Sequence, residues 1–579
     1  MSIYSQQPWL KHYDPEVPLR LEQRSRCLGE LLPETARRFP QLDAITLAVS
    51  AAGRVFTSSL SFQRLNDLVE RCAASLQRLG VERGDRVALY LPNCPQFAIG
   101  YCAALRIGAI AVPFNPLYAA REVEHQLADC GATVMIALSP YYDLVKQVQP
   151  RTALRRVVVT RIKDYFGPLL WSLYTLTKER REARAHLAAG DLRWDELLRP
   201  GAPTPVAVDE NDTAVLLYTG GTTGVSKGVE LTHRNLVVNA EQNRAWARLQ
   251  PGVEKALTAL PLFHAFGLTC GLNLGLLLGG TVILVPNPRD FEGLCRIIHR
   301  LRPTAFPAVP TLLVAIGNLP RLARYDLRSI RLCPCAGSPL APAVQRAFTE
   351  RTGVPVIEGY GLTEAAPTTH GNPVGACRPG TIGLPYPGTA ARIVDLETGT
   401  RELELGADGE WTEPGELLVR GPQVMKGYWN RPQETAQVLR DGWLHTGDIA
   451  QMHRDGYFRI VDRKKDMIIR SGHNIYPAEV EAVLLEHPAV LEALVVGQPD
   501  ALHGELVKAC VVLRPGADLD AATLTAFCGD KLARFKVPSI VEFRGELPKS
   551  AVGKPLRRSL RSEPDPSAAE SERPAAGAP

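Results

Sequence analysis

The stretch that most constrains this chain is Tyr218-Thr-Gly-Gly-Thr-Thr-Gly-Val-Ser-Lys-Gly-Val229. It follows the short apolar run Thr213-Ala-Val-Leu-Leu217, which reads as a buried strand. Helical spacing is expected from Glu230-Leu-Thr-His-Arg-Asn-Leu-Val onwards, so the stretch is read as a turn from strand to helix. Glycines let backbone N–H groups approach an oxyanion, hydroxyls donate hydrogen bonds, and Lys227 adds a point charge. Together these make a phosphate cradle; the alternative is a plain Gly/Thr turn. The pattern differs from G-x-x-x-x-G-K-[ST], because Ser226 and Gly228 flank the lysine.

A chain of 579 residues exceeds one hydrophobic core, so two or more domains are expected. Strands alternate with helices: a helix near Ser25–Phe39, a strand near Ala44–Val49, and a helix over Leu60–Leu79. The apolar stripe of that second helix is Leu65, Leu68, Val69, Cys72, Ala73 and Leu76. A strand at Val87–Leu91, a helix near Pro95–Ile107 and a strand at Gly108–Val112 continue the pattern, while residues before Ser25 read as Pro-rich coil. This alternation predicts α/β architecture with largely parallel sheets. The apolar run Gly267–Val285 carries Asn273 and a Gly279-Gly280 turn signal, so it reads as buried helix, turn and strand rather than a membrane span.

The net charge of +5 is small for this length and gives no case for nucleic-acid binding. Twelve cysteines lie scattered without a CxxC pair, which points to buried thiols and a cytoplasmic setting. No charged n-region precedes an apolar core at the N-terminus, so no signal peptide is expected.

Further motifs follow in order. Pro261-Leu-Phe-His264-Ala-Phe266-Gly carries a histidine between aromatics, which alone reads as packing. Cys335-Ala-Gly337-Ser338-Pro-Leu ends a strand-like run, Ile330–Cys333. Ile357-Glu358-Gly359-Tyr360-Gly361-Leu-Thr363-Glu364 combines close-approach glycines, an aromatic face and hard oxygen donors, and a single glutamate suits Mg²⁺, which keeps phosphate oxygens and water. Gly442-Trp-Leu-His-Thr-Gly-Asp448 offers a carboxylate for a diol. Asp462-Arg463-Lys-Lys465-Asp466 is a charged connection, and Leu547-Pro-Lys-Ser-Ala-Val-Gly-Lys554 a basic run close to the C-terminus. Beyond the connection, a helix at Pro477–Leu485, strands at Val490–Val496 and Val507–Leu513, and a helix at Leu519–Leu532 suggest a small α/β unit.

These blocks, in this order, resemble the adenylate-forming superfamily of acyl-CoA synthetases, luciferases and nonribosomal adenylation domains, over roughly Pro8 to Arg561. The Gly220-Gly221 version of the loop, the segment Asn115–Leu127, and Phe535-Lys-Val-Pro with Val541–Ser550 look most like the long-chain fatty acid–CoA ligases. The resemblance implies a large N-terminal domain of mixed and parallel sheets with flanking helices and a small β-barrel-like subdomain (1–462). A small mobile C-terminal α+β domain (463–561), hinged near Lys465, completes it; the low-complexity composition of 562–579 separately reads as a disordered tail. It implies ATP and CoA as co-substrates, Mg²⁺ as cofactor, and a fatty acid converted to acyl-CoA through an acyl-adenylate, with release of AMP and pyrophosphate.

By the same resemblance Tyr218, Thr219, Gly220, Gly221, Thr222, Thr223, Gly224 and Lys227 cradle phosphate, and Gly337 and Ser338 border the adenine. Glu358, Gly359, Tyr360 and Gly361 line the base, with Tyr360 stacking on it. Thr363 contacts the α-phosphate region, Glu364 holds Mg²⁺ with Thr219 as a second ligand, and Asp448 and Arg463 take the ribose and phosphate. Lys554 is the mobile catalytic lysine, acting with Lys227, Thr219 and Glu364. His264, Phe266 and Gly337 are assigned to the acyl pocket, and Gly472 to the CoA path.

Readings left open are a medium-chain or aryl acid substrate, a carrier-protein thiol as acceptor, and a catalytically silent lipid- or nucleotide-binding protein. The aromatic cluster Tyr165–Tyr174 beside Arg155, Arg156, Arg161, Lys163 and Lys178–Arg184 is a candidate contact with the inner face of a membrane, or else a surface insertion packed on its own domain. A homodimer is suggested by the family alone.

Overall fold

The computed structural model describes residues 2–22, 26–177, 187–220, 226–471, 473–500, 502–549 and 556–561. An eight-stranded sheet runs in the order Gly427–Tyr428, Ser226–Thr232, Thr213–Gly220, Ile110–Pro113, Arg86–Tyr90, Val134–Leu138, Arg156–Thr160 and Leu192–Arg193. All neighbours from Thr213–Gly220 to Leu192–Arg193 are parallel. The Val, Ala, Ile and Leu side chains of the strands from Thr213–Gly220 to Arg156–Thr160 are buried on both faces, while Leu192–Arg193 at the edge is partly exposed.

A second sheet pairs Lys255–Thr258, Thr281–Leu284 and Asp43–Ala51 in parallel, with Arg54–Ser61 returning as a hairpin. Single-residue bridges Ala256↔Ala305 and Ala305↔Leu332 link it to a third, made of Cys333–Cys335, Val356–Gly361, Thr368–Gly371 and Leu384–Pro385. Helices Phe62–Arg78 and Pro95–Arg106 pack against each other within the largest core cluster, and all six residues of the expected stripe are buried. A five-stranded antiparallel sheet of Ala390–Val394, Gly415–Arg420, Trp443–Met452, Leu439–Arg440 and Phe458–Arg463 forms the expected small β subdomain.

A separate, smaller C-terminal unit carries its own core. Strands His473–Ile475, Ile468–Arg470, Gly504–Leu513, Val490–Asp500 and Ile540–Phe543 are backed by helices Pro477–Leu485 and Ala521–Gly529.

Three readings need correction. The glycine-rich stretch does not join strand to helix: Ser226–Thr232 is a strand, antiparallel to Thr213–Gly220. Val229 and Leu231 alternate with Gly228 and Glu230, a period of two that a cross-strand partner can use. The strand ends where Thr232 Oγ1 accepts from Asn235 N at 3.1 Å and Asn235 Oδ1 accepts from Thr232 N at 2.9 Å, a capping box that starts the helix at His233. The N-terminal residues are not coil but a strap over the β subdomain. Trp9 is buried against Phe458, the Tyr4 hydroxyl donates to Leu403 O at 2.7 Å, and the Tyr13 ring meets Trp246 edge-on. Aromatic anchors outweighed the prolines there. The strand expected at Ile330–Cys333 lies instead at Cys333–Cys335, so it runs directly into Ala336-Gly337-Ser338.

The run Gly267–Val285 is a π-helical turn over Gly267–Asn273, an α-helical turn over Leu274–Leu278, a left-handed Gly279 and the strand Thr281–Leu284. Among the described residues no helix is long and apolar enough to cross a membrane.

Candidate active site

The hairpin fixes the first pair of residues. Cross-strand register sets Thr219 opposite Lys227 and Gly220 opposite Ser226, and Ser226 Oγ donates to Thr219 O at 3.0 Å. Cross-strand partners share a face of the sheet, so the hydroxyl and the ammonium start from the same side. Gly221, Thr222, Thr223 and Gly224 lie outside the described residues. Tyr218 is committed elsewhere: its hydroxyl donates to Asp129 Oδ2 at 2.7 Å, and burial pushes its pKa upward. Its ring covers Gly228, where an added Cβ would lie 3.1 Å from it.

Strand Val356–Gly361 brings the second group. An added Cβ on Gly361 would sit 2.1 Å from Pro367 O, so no larger residue fits. Beyond it a 3₁₀ turn, Thr363–Ala365, presents Glu364, whose Oε1 accepts from the Tyr428 hydroxyl at 2.9 Å. The Tyr360 hydroxyl donates to Asp448 Oδ2 at 2.6 Å, and Arg463 Nε lies 3.1 Å from Asp448 Oδ1. Asp448 and Arg463 face each other in register between strands Trp443–Met452 and Phe458–Arg463. The structure thus joins Tyr360, Asp448 and Arg463, three sequence-predicted residues up to 103 positions apart, into one polar triad around the buried Asp448.

Gly337 has a φ of 91°, in the left-handed region that glycine alone adopts freely, and the turn it makes leads to Leu340, whose N–H lies 3.4 Å from Glu358 Oε1. Glu358 faces Cys335 in parallel register, is buried, and its Oε2 has no hydrogen-bond partner. Burial pushes its carboxyl up to about 8, while the N–H groups of Leu340 and Gly380 pull the other way. A carboxyl raised on folding binds its proton more tightly in the native state. Its contribution to stability is complete below the ordinary carboxylate range and is lost as pH rises towards about 8. Glu358→Gln should therefore flatten the decline in melting temperature between about pH 5 and 8; an unchanged slope would remove Glu358 as its source.

Other predicted residues stand apart. His264 is exposed and Phe266 half-buried in the turn before Gly267. Neither lines the cavity that opens beside Gly359, which is bounded by Trp246, Leu274, Leu278, Pro334 and Ile357. Lys465 is exposed, and its carbonyl accepts from Arg561 Nη1 at 3.1 Å. Gly472 and Lys554 lie outside the described residues.

The sequence reading missed Tyr428, Arg431 and Glu434. Lys227 pairs with Glu434 and lies 5.4 Å from the Tyr428 ring centroid, while Arg431 Nη2 sits 2.7 Å from Asp129 Oδ1. The one available signal was the compact run Lys426-Gly-Tyr-Trp-Asn-Arg-Pro-Gln-Glu434, which places glycine, aromatics, proline and charges within nine residues.

Comparison with known proteins covers both units. A family model described as AMP-binding enzyme matches residues 32–429, and one described as AMP-binding enzyme C-terminal domain matches residues 479–554. The chain is 43% identical to a long-chain-fatty-acid–CoA ligase of Bacillus subtilis, over 97% of this chain and 99% of that protein. It is 41% identical to a protein of the same name from Escherichia coli O157:H7, over 96% and 98%. The crystal structure of the anthranilate CoA ligase AuaEII in complex with anthranoyl-AMP superposes with a TM-score of 0.81 at 28% identity, covering 95% of this chain and 99% of that one.

Proposed function

This chain belongs to the AMP-binding enzyme family, and we propose that within it the protein joins a long-chain fatty acid to CoA through an acyl-adenylate. Similarity of 41–43% to long-chain-fatty-acid–CoA ligases over nearly the full length of both chains is the observation that carries the substrate class. In the first step the fatty acid carboxylate attacks the α-phosphorus of ATP and pyrophosphate leaves. In the second the CoA thiolate attacks the acyl carbonyl and AMP leaves.

The residues take these roles. Lys227, with Thr219 on the opposing strand and the loop 220–224, holds the phosphates. Tyr360 offers its face to adenine while its hydroxyl fixes Asp448, which with Arg463 takes the ribose. Glu358, with one unpartnered carboxyl oxygen beneath the Gly337–Leu340 turn, meets the polar edge of the base. Thr363 contacts the α-phosphate region. Glu364 and Thr219 are a sparse oxygen set that fits Mg²⁺, a cation that keeps water and substrate phosphate ligands, and when bound the ion offsets phosphate charge. His264, Phe266 and Gly337 contribute to the acyl pocket, and the cavity between Trp246, Leu274, Leu278, Pro334 and Ile357, which opens beside Gly359, receives the acyl chain. Residues up to Asp462 make the large domain and 463–561 the mobile one. Lys465 is the hinge between them, Lys554 serves adenylation, and Gly472 lines the CoA path after rotation.

The direct test is product analysis with a long-chain acid, ATP, Mg²⁺ and CoA. Equimolar acyl-CoA, AMP and pyrophosphate support the proposal; ADP and phosphate, or no thioester, contradict it.

The protein also touches a membrane surface through helix Pro168–Thr177. Leu170 is buried and the Trp194 indole donates to the Tyr165 hydroxyl at 3.2 Å, so one side of this segment packs on its own domain. Leu169, Trp171 and Leu176 are exposed, and Arg155, Arg156 and Arg161 lie exposed nearby in the chain. Replacing those three apolar residues with serine should lower binding to anionic phospholipid vesicles about tenfold or more. Equal flotation of variant and parent would rule the segment out.

A further inference from the structure

Lys227 already has an anion beside it. Its ammonium pairs with Glu434, and both groups are more than two-thirds buried. Glu434 stands in the first turn of helix Pro432–Val438, on a segment fastened to the hairpin edge. Tyr428 faces Val229 in register, Trp429 N donates to Gly228 O at 2.8 Å, and Tyr428 N donates to Thr435 Oγ1 at 2.9 Å. Arg431 ties the same turn to Asp129 at 2.7 Å and lies 3.7 Å from Glu434. The carboxylate therefore reaches Lys227 from a braced platform, and the same platform supplies the Tyr428 hydroxyl that holds Glu364. One short segment contacts both the phosphate lysine and the metal-side glutamate.

A carboxylate and a polyphosphate compete for one ammonium. Both are oxyanions, and the ammonium is a point charge whose three donors can turn to either. When phosphate displaces Glu434, one charge-assisted pair is broken and one made, and the released carboxylate remains close to the phosphate charge. We propose that Glu434 is a positioning residue that acts as a tethered competitor. It keeps Lys227 facing Thr219, yields it to the incoming polyphosphate, and takes it back as pyrophosphate departs. This rests on the reading of Lys227 as the phosphate-binding lysine.

The test uses the full-length enzyme and measures binding of ATP with Mg²⁺, binding of inorganic pyrophosphate with Mg²⁺, and kcat against KM for ATP. Glu434→Gln should tighten both ligands about three- to tenfold, lower KM for ATP, and slow turnover through stronger product inhibition by pyrophosphate. Glu434→Asp, which keeps the charge, should stay close to the parent. In the background of Lys227→Ala the gain from Glu434→Gln should vanish. Unchanged or weaker binding in Glu434→Gln overturns the competitor role, because a merely structural residue would only lose affinity on substitution. If Lys227→Ala itself leaves ATP and pyrophosphate binding unchanged, the parent reading of Lys227 fails instead.

Discussion

Lys554→Ala is expected to abolish acyl-adenylate formation while thioester formation from supplied acyl-AMP continues within a few-fold of the parent. The argument starts from charge. In the first half-reaction negative charge redistributes over the α-phosphoryl oxygens and the departing pyrophosphate, and a positioned cation there is worth about 10²–10³ in rate or more. In the second half-reaction the attacking group is a thiolate and the leaving group AMP, so the same lysine has no polyphosphate to stabilise. The described residues on either side of Lys554 are tied together and to the connection near Lys465. Leu556 N donates to Pro548 O at 2.9 Å, and Leu547 is buried. Arg557 then grips Glu481 through two contacts of 2.6 and 2.7 Å and lies 3.7 Å from Asp466, and Arg561 donates to the carbonyls of Lys465 and Asp466. The segment that follows Lys554 is therefore anchored to the proposed hinge itself, and a rotation at residue 465 would carry that segment with it. Separate assays of the two half-reactions check this. Equal loss in both would show that Lys554 has a structural rather than a step-specific role.

Asp448→Ala should raise KM for ATP by at least tenfold and lower stability together. Asp448 is nearly inaccessible, accepts a hydrogen bond from Tyr360 at 2.6 Å and pairs with Arg463 at 3.1 Å. Removing it leaves a part-buried hydroxyl without its acceptor and a guanidinium without its counter-charge, at a cost of about 1–3 kcal/mol. About a third of the Arg463 side chain remains solvated, which keeps the penalty below that of a fully buried pair. Asp448→Asn keeps the volume and an acceptor oxygen, so it should recover much of the stability but little of the ATP affinity. Thermal melting together with ATP titration separates the two. An alanine variant with parent-like KM would remove Asp448 from the nucleotide site.

The pattern of these expectations follows what the sequence made legible. Buried strands and amphipathic helices were readable because periodicity is a local property: the Leu65–Leu76 stripe is one face of one helix, and it is buried as its spacing requires. The triad of Tyr360, Asp448 and Arg463 could be named because each residue sits in a motif, but its hydrogen bonds depend on strand pairing. The hairpin at Ser226–Thr232 was misread because Glu230–Val238 also fits helical spacing, and only the partner strand and the Thr232 capping box decide between the two. Glu434 was invisible for a related reason. It lies 207 positions beyond Lys227, and although the compact run Lys426–Glu434 marks the segment, nothing in it marks this glutamate as the partner of Lys227.

The most direct measurement of the central claim is pyrophosphate release with ATP and Mg²⁺, across acids from short to long chain together with aryl acids, with and without CoA. The account predicts CoA-dependent turnover that rises with chain length and peaks among long-chain acids. Release indifferent to CoA, or a peak among aryl acids, would contradict the acceptor or the substrate assigned here.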